Sequence, residues 1–182
     1  MGRERFRVLG VRSSDPVMSV VGPMGLATAA GTALLVDLAD QLGAGSVRTL
    51  ADLAAQGPRL DELSPGRTGV AVIRAGRLEA ADSIILIEQL AKRWPAVVVR
   101  VVEPGWPGPV VPVHPLYPGW LSPTTVEPAV WQSFPWSTRP PGPGPVLPRL
   151  RSSEVRRMVK GGLPTRGRWL KTWERVWEMP WA

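Results

Sequence analysis

Few side chains of this sequence could do chemistry, and they are poorly arranged for catalysis. The chain has one histidine, His114, and no cysteine. Thiolate chemistry, disulfides and sulfur-ligated zinc are therefore excluded. His114 lies between Val113 and Pro115 in a proline-rich segment, and the sequence offers nothing that would orient it as the general base of a triad. We expect a chain that is not an enzyme and that uses no cofactor.

Two pairs of neighbouring carboxylates are the remaining candidates for a metal site. They are Asp37 with Asp40 and Asp61 with Glu62. Carboxylate oxygens are the ligands that hard cations such as Mg²⁺ and Ca²⁺ prefer. Acidic side chains are mostly exposed, so the simpler interpretation of both pairs is solvated loop carboxylates. We therefore predict no metal site.

Tryptophans and cations recur at helical spacing near the C-terminus. Three tryptophans stand at i, i+4 and i+8: Trp169, Trp173 and Trp177. Three cations occupy other positions of the same turns: Arg168, Lys171 and Arg175. A helix over about 167–179 would present the tryptophans on one side, which predicts binding to a partner protein or an anionic membrane surface, with nucleic acid less favoured. The alternative is that the tryptophans dock on the open face of the domain's own sheet.

Positive charge is concentrated in the same region. The net charge of the chain is +7, and the residues from Arg139 onward include 10 basic and 3 acidic side chains. Residues 13–138, by contrast, include 8 basic and 11 acidic side chains. An anionic partner is therefore expected to meet the C-terminal part of the chain.

Continuous apolar segments alternate with amphipathic ones in the first hundred residues. Strands are predicted at four segments: 17–22, 33–38, 69–74 and 96–102. Helices are predicted at 46–56, where Thr49 and Asp52 have capping-box spacing, and at 79–94. This alternation predicts an α/β fold with a small parallel sheet and covering helices.

Proline dominates residues 103–148, where it supplies 14 of 46 residues. We expect neither a strand nor a long helix at that density. Four prolines recur at every third position, as in a polyproline II helix: Pro109, Pro112, Pro115 and Pro118. The segment is predicted to be an extended arm that lies over the domain or binds an aromatic groove of a partner.

The predicted organisation has four parts. A basic N-terminal segment (1–16) precedes the α/β domain (17–102), the proline-rich extended arm (103–148) and a short, basic, tryptophan-rich helical tail (149–182). Residues 17–36 form an uncharged run. We expect it to be a strand, a glycine turn and a short helix rather than a membrane span, because Gly22, Pro23 and Gly25 would break a spanning helix.

One segment resembles a known family. Residues 34–41 read Leu-Leu-Val-Asp-Leu-Ala-Asp-Gln. They are similar to the second strand of the MinD/ParA family of P-loop ATPases, which carries a Val-Asp-x-Asp-x-Gln signature. The predicted strand at 17–22 resembles that family's first strand, and 69–74, 79–94 and 96–102 resemble its next strand, helix and Walker-B strand. The resemblance covers about residues 17–113.

The chain departs from that family at both of its nucleotide anchors. Residues 22–32 read GPMGLATAAGT and contain no lysine for the phosphates. The fourth predicted strand has Arg100 and no aspartate at its end, where the family places its Walker-B acid. Gly22, Gly25 and Asp37 are therefore predicted to be a vestigial nucleotide site without hydrolysis, in which Asp37 is a strand-end cap rather than a magnesium ligand.

Two functions are consistent with these observations. The resemblance implies a non-catalytic accessory protein that helps to position or assemble a division, partition, pilus or secretion machine through a partner protein. The second hypothesis is a peripheral scaffold whose polyproline arm and tryptophan-rich basic helix bind a partner protein or an anionic membrane surface. The absence of cysteine favours the cytoplasm, and the basic tail would place the protein peripherally at the membrane.

Overall fold

A computed structural model of the chain contains a seven-stranded parallel sheet with helices on both faces. It describes residues 8–42, 47–59, 62, 68–102, 106–118, 121, 125 and 127–181. The strands are β1 Val8–Arg12, β2 Thr32–Asp37, β3 Gly69–Arg74, β4 Val97–Arg100, β5 Val110–Pro115, β6 Val130–Gln132 and β7 Val146–Leu147. The helices are α1 Pro16–Ala29, α2 Leu50–Gln56, α3 Ala80–Ala91, α4 Ser152–Val159 and α5 Arg168–Val176.

The strand order is β3-β2-β4-β1-β5-β6-β7, and all neighbouring strands are parallel. The predicted α/β class and parallel sheet are therefore confirmed. The capping box at the start of α2 is also confirmed, because the Thr49 side chain accepts from the Asp52 backbone and the Asp52 carboxylate accepts from the Thr49 backbone at 2.8 Å. The hydrogen bond from the Thr49 backbone is the main reason that the pKa of Asp52 lies below its ordinary value.

The predicted strand at 17–22 is wrong, because these residues belong to α1. Asp15 caps this helix by accepting from the Met18 N–H at 2.8 Å, and Pro16 occupies its first turn. The helix is apolar on all sides, and every residue from Val21 to Ala27 is buried. A helix of this kind is stabilised by packing between the sheet and the C-terminal helices, so its glycines and its proline do not end it. The first strand of the sheet is β1, inside the part predicted to be a basic N-terminal segment.

The predicted arm over 103–148 is also wrong, because β5, β6 and β7 all lie within it. The sheet tolerates prolines in β5 for a geometric reason. Pro112 would direct an N–H toward β6, but pairing with β6 begins only at Val113. Pro115 would direct an N–H toward β1, but pairing with β1 ends at Pro112. Neither missing donor therefore breaks a ladder hydrogen bond.

The other two prolines of the predicted polyproline repeat flank β5. The Pro109 carbonyl accepts from the Gly10 N–H of β1 at 2.8 Å, and Pro118 is exposed beyond the strand. The four prolines therefore do not form a binding edge of a separate arm.

The C-terminal helices pack on α1 and belong to the same core. Trp173 is fully buried and Trp169 is 7% exposed, and the two rings meet edge to face at 5.7 Å. The indole N–H of Trp169 donates to Gln132 of β6 at 2.8 Å, and that of Trp177 donates to the Leu26 carbonyl of α1 at 3.0 Å. The tryptophan stripe thus faces α1, which covers the sheet, so its aromatic surface is not free for a partner. A separate C-terminal tail is not confirmed.

Two glycines of α1 permit this close approach. A Cβ atom on Gly25 would lie 2.5 Å from Nε1 of Trp173 and would also overlap the Trp169 ring. A Cβ atom on Gly22 would lie 3.4 Å from the methyl groups of Val11 and Val113, which is ordinary contact. Gly25 is therefore the position where α5 requires the absence of a side chain.

The opposite face of the sheet is covered by α2 and α3. A second apolar core lies between the sheet and these helices. It contains Val97 and Val99 of β4, Leu53 of α2 and Ile87 of α3. No helix in the described ranges is both long enough and apolar enough to cross a membrane.

We predict that Gly25→Ala lowers the free energy of unfolding by roughly 1–3 kcal/mol, because the added methyl group overpacks the contact with the tryptophans. Gly22→Ala is the matched control in the same helix, and it should leave that energy unchanged or raise it by up to about 1 kcal/mol through helix propensity. Urea denaturation of both variants measures the difference. Equal stabilisation by both substitutions would contradict the packing of α5 on α1.

Candidate functional site

Polar side chains are concentrated where β2 and β4 end, beside the first turns of α1. Asp37 is the last residue of β2 and Arg100 the last of β4, and the two are paired in the sheet register. Their exposed fractions are 0% and 3%. Arg100 Nη1 donates to Asp37 Oδ1 at 3.0 Å, so the two residues form a buried ion pair.

Arg100 also connects the sheet to α1. Its Nε donates to the Ser19 carbonyl at 2.8 Å, and its Nη2 donates to the Ser19 hydroxyl at 3.1 Å and to Gln41 Oε1 at 2.8 Å. In a regular helix the Ser19 carbonyl would accept from residue 23, but that residue is proline and has no N–H. The guanidinium therefore supplies the hydrogen bond that Pro23 cannot make.

The carboxylate of Asp37 uses all of its acceptor capacity. Besides Arg100, Oδ1 accepts from the Ala39 N–H at 3.1 Å. Oδ2 accepts from the N–H groups of Gln41 and Leu42, both at 2.7 Å. Since a carboxylate has about four acceptor positions, a cation could bind here only by displacing one of these donors. The simpler interpretation of Asp37 as a solvated loop acid is therefore wrong.

The three residues of the predicted vestigial nucleotide site do not form one site. Gly22 and Gly25 are inside α1, so the prediction of a glycine turn there is wrong. The turn that follows β1 spans residues 13–15 and contains neither glycine nor lysine. Its Asp15 accepts from the Tyr117 hydroxyl at 3.0 Å. Burial and this hydrogen bond raise the pKa of Tyr117 above its ordinary value.

A pocket of about 440 Å³ opens at the same edge of the sheet, on the face that α3 covers. Most of its lining is apolar: Leu38, Ala75, Leu78, Ile84, Val101 and Trp106. Two polar side chains also line it, Gln41 and Ser83. Gln41 therefore belongs both to the pocket and to the Arg100 cluster. In open α/β sheets, ligands bind outside the carboxyl ends of the strands, where the connections diverge. Such a point lies here, because β2 leads to β3 on one side and β4 leads to β5 on the other.

The described lining of the pocket offers apolar surface and two hydrogen-bonding side chains, a composition typical of binding sites. Among the described lining residues, Ser83 is the only hydroxyl nucleophile, and none of the others could act as its base. His114 is on β5, where its ring lies 5.3 Å from that of Trp131. Burial, and secondarily the charge of Arg12, lower the pKa of His114. Within the described ranges, no group of three or more potential ligands is arranged to hold a metal ion.

The described members of the two predicted carboxylate pairs bind other groups in the fold. The Asp40 carboxylate accepts from the Gly76 N–H at 3.0 Å rather than lying beside that of Asp37. Glu62 forms an ion pair with Arg48 at 2.8 Å. Asp61 lies outside the described residues.

The predicted partner-binding residues of the C-terminal helix are divided between two environments. Its tryptophans face α1, while its cations are exposed on the outer surface: Arg168, Lys171 and Arg175. The predicted helix therefore forms, with its tryptophans against α1 and its cations exposed to solvent, so only the cations are available to a partner.

Sequence reasoning missed the residues that organise this edge, above all Arg100 and Ser83. A signal for Arg100 was present, because an arginine within the run Val97-Val98-Val99-Arg100-Val101-Val102 is a charge in a buried strand. Such a charge requires a partner, and Asp37 at the end of another buried strand was the matching acid. Nothing in the sequence marks Ser83 as a pocket residue.

Comparisons with known proteins add no identification. No protein-family model matches the chain, and neither a curated protein nor a solved structure matches it.

We predict that Arg100→Met lowers the free energy of unfolding by about 3–5 kcal/mol, because it leaves the Asp37 carboxylate buried without its counter-charge. The double variant with Asp37→Asn should lose less than the sum of the two single losses, since it leaves no unpaired charge. Arg93→Met removes an exposed cation and should change the energy by less than about 0.5 kcal/mol. Additive losses in chemical denaturation would contradict a coupled pair.

Proposed function

We propose that this protein is a non-catalytic binding and assembly protein built on a degenerate MinD/ParA-like domain. In this proposal it is an accessory to the placement of a division, partition, pilus or secretion machine. The resemblance now rests on β2, which ends in Asp37, and on β3, α3 and β4 after it. The family's first strand corresponds in this proposal to β1.

The observation that carries the proposal is the buried pair of Asp37 and Arg100. By the resemblance, the residue that matches Asp37 would lie beside magnesium, and a second acid would stand at the end of β4. Here the guanidinium of Arg100 comes from the end of β4 and takes the place of a cation on Asp37. The turn of residues 13–15 lacks the glycines and the lysine that cradle phosphates. These features support a domain whose nucleotide chemistry has been replaced by an internal ion pair.

We predict that millimolar ATP with Mg²⁺ does not raise the melting temperature, because a ligand stabilises a protein by RT ln(1 + [L]/Kd) and no phosphate cradle is present. ATP with a chelator, and Mg²⁺ alone, are the controls in the same thermal-shift assay. A rise of several degrees with ATP and Mg²⁺ together would contradict the proposal, as would ATP hydrolysis that Arg100→Met abolishes.

A second candidate function is docking of the C-terminal helices on an anionic membrane surface. Six exposed cations lie on α4, on α5 or directly after α4: Arg156, Arg157, Lys160, Arg168, Lys171 and Arg175. None of them forms an ion pair with an acid among the residues that the structure covers. Two exposed apolar side chains, Val159 and Leu163, lie between these cations in the sequence. Cations around exposed apolar groups are typical of surfaces that bind anionic lipids.

For this second candidate, we predict binding to vesicles that contain anionic lipid, weakening as salt is added. Replacing Arg168, Lys171 and Arg175 by glutamate should abolish sedimentation with these vesicles. The matched control is Lys92→Glu with Arg93→Glu, which reverses exposed cations after α3 and should leave binding intact. Equal loss in both variants would indicate an effect of net charge alone. Binding to duplex DNA but not to vesicles would contradict the membrane candidate.

A further inference from the structure

The pocket at the ends of β2, β3 and β4 combines mostly apolar walls with two side chains that can donate hydrogen bonds, the buried Ser83 and the exposed Gln41. Ser83 lines it and is only 2% exposed. The backbone N–H of Ser83 donates to the Glu79 carbonyl, but its hydroxyl has no hydrogen-bond partner in the described part of the chain. Because the Ser83 oxygen keeps contact with solvent in the pocket, a bound acceptor could take the place of water as its partner.

Gln41 presents a second donor, and its orientation is fixed. Arg100 has only donors, so the amide atom of Gln41 that faces it at 2.8 Å must be Oε1. The NH₂ group of Gln41 therefore points away from Arg100, and it has no partner among the residues that the structure describes. Gln41 lines the pocket as a donor rather than as an acceptor.

The electrostatic surroundings favour an uncharged ligand. No charged side chain lines the pocket among the residues that the structure describes. The nearest guanidinium behind Gln41, that of Arg100, is neutralised by Asp37. Glu79 and Asp82 are exposed in the first turn of α3, which also supplies the lining residues Ala80 and Ser83. The exposed cation Arg77 lies beside the lining residue Leu78, so charges of both signs flank the pocket, and the apolar walls would strip a ligand of either charge of its water.

We propose that this pocket binds an uncharged small molecule with an apolar body and a hydrogen-bond acceptor such as a carboxamide carbonyl. Ser83 and Gln41 donate to that acceptor, and the apolar walls bury the body. The volume of about 440 Å³ lies within the range of small-molecule pockets. This site is distinct from the exposed cations of α4 and α5, so it does not depend on either proposed function.

The first test is a titration of the full chain followed by methyl-selective NMR. The probes are hydrocinnamamide, hydrocinnamate and phenylpropylamine, which share a phenyl body and differ in carrying a neutral acceptor, an anion and a cation. We expect only the amide to bind in the millimolar range or below, which is typical of fragment-sized ligands. Its shifts should centre on the lining methyl groups of Leu78, Ile84 and Val101. Shifts spread over the surface, or equal binding of the three probes, would overturn the proposal.

The second test removes the donors one at a time. Ser83→Ala and Gln41→Met should each weaken binding of hydrocinnamamide by about three- to tenfold, since each removes one hydrogen bond. Ser153→Ala, in an exposed hydroxyl of α4, is the matched control and should leave the affinity unchanged. Dispersed methyl spectra establish that each variant is folded. Unchanged affinity in both donor variants would overturn the assignment, and Gln41→Met would still test it if Ser83→Ala failed to fold.

Discussion

The hydrogen bonds of the Arg100 guanidinium are the constraint on which the carboxyl edge of this protein depends. They join the end of β4 to the end of β2 through Asp37 and to α1 through Ser19. Pro23 leaves the Ser19 carbonyl without its helical donor, and Arg100 replaces that donor. Burying two charges costs several kcal/mol per ion, which is offset only when the hydrogen bonding is nearly complete. Here it is nearly complete, because the carboxylate accepts four hydrogen bonds and the guanidinium donates four.

Two features share this edge of the sheet, the ion pair and the pocket. On the α1 face, the Arg100 guanidinium occupies one of the acceptor positions of the Asp37 carboxylate. On the α3 face, the pocket remains open, and Gln41 belongs to both parts. Because Arg100 donates to Oε1 of Gln41, the ion-pair cluster also orients the NH₂ group of Gln41 away from Arg100.

Local patterns predicted the fold where local and tertiary preferences agree. The strands β2 and β3, the helix α3 and the capping box of Thr49 were all predictable from apolar runs, amphipathic spacing and cap chemistry. The prediction failed at α1, where Gly22, Pro23 and β-branched valines locally favour a strand and a turn, but enclosure between the sheet and the C-terminal helices stabilises a helix. It failed again at β5, because the tolerance of Pro112 and Pro115 depends on where neighbouring strands begin and end. The candidate site was the least predictable part, since Ser83, Trp106 and Gln41 come together only through the order of the strands.

The central claim is that the Arg100 side chain is held in solution by Asp37, Ser19 and Gln41. NMR of the arginine side chains tests it directly, because a guanidinium held by several acceptors rotates slowly and protects its protons from solvent. We predict separate, slowly exchanging Nη proton signals for Arg100, with Arg93 as the exposed comparison in the same spectrum. A single averaged and rapidly exchanging signal for Arg100, like that of Arg93, would contradict the account.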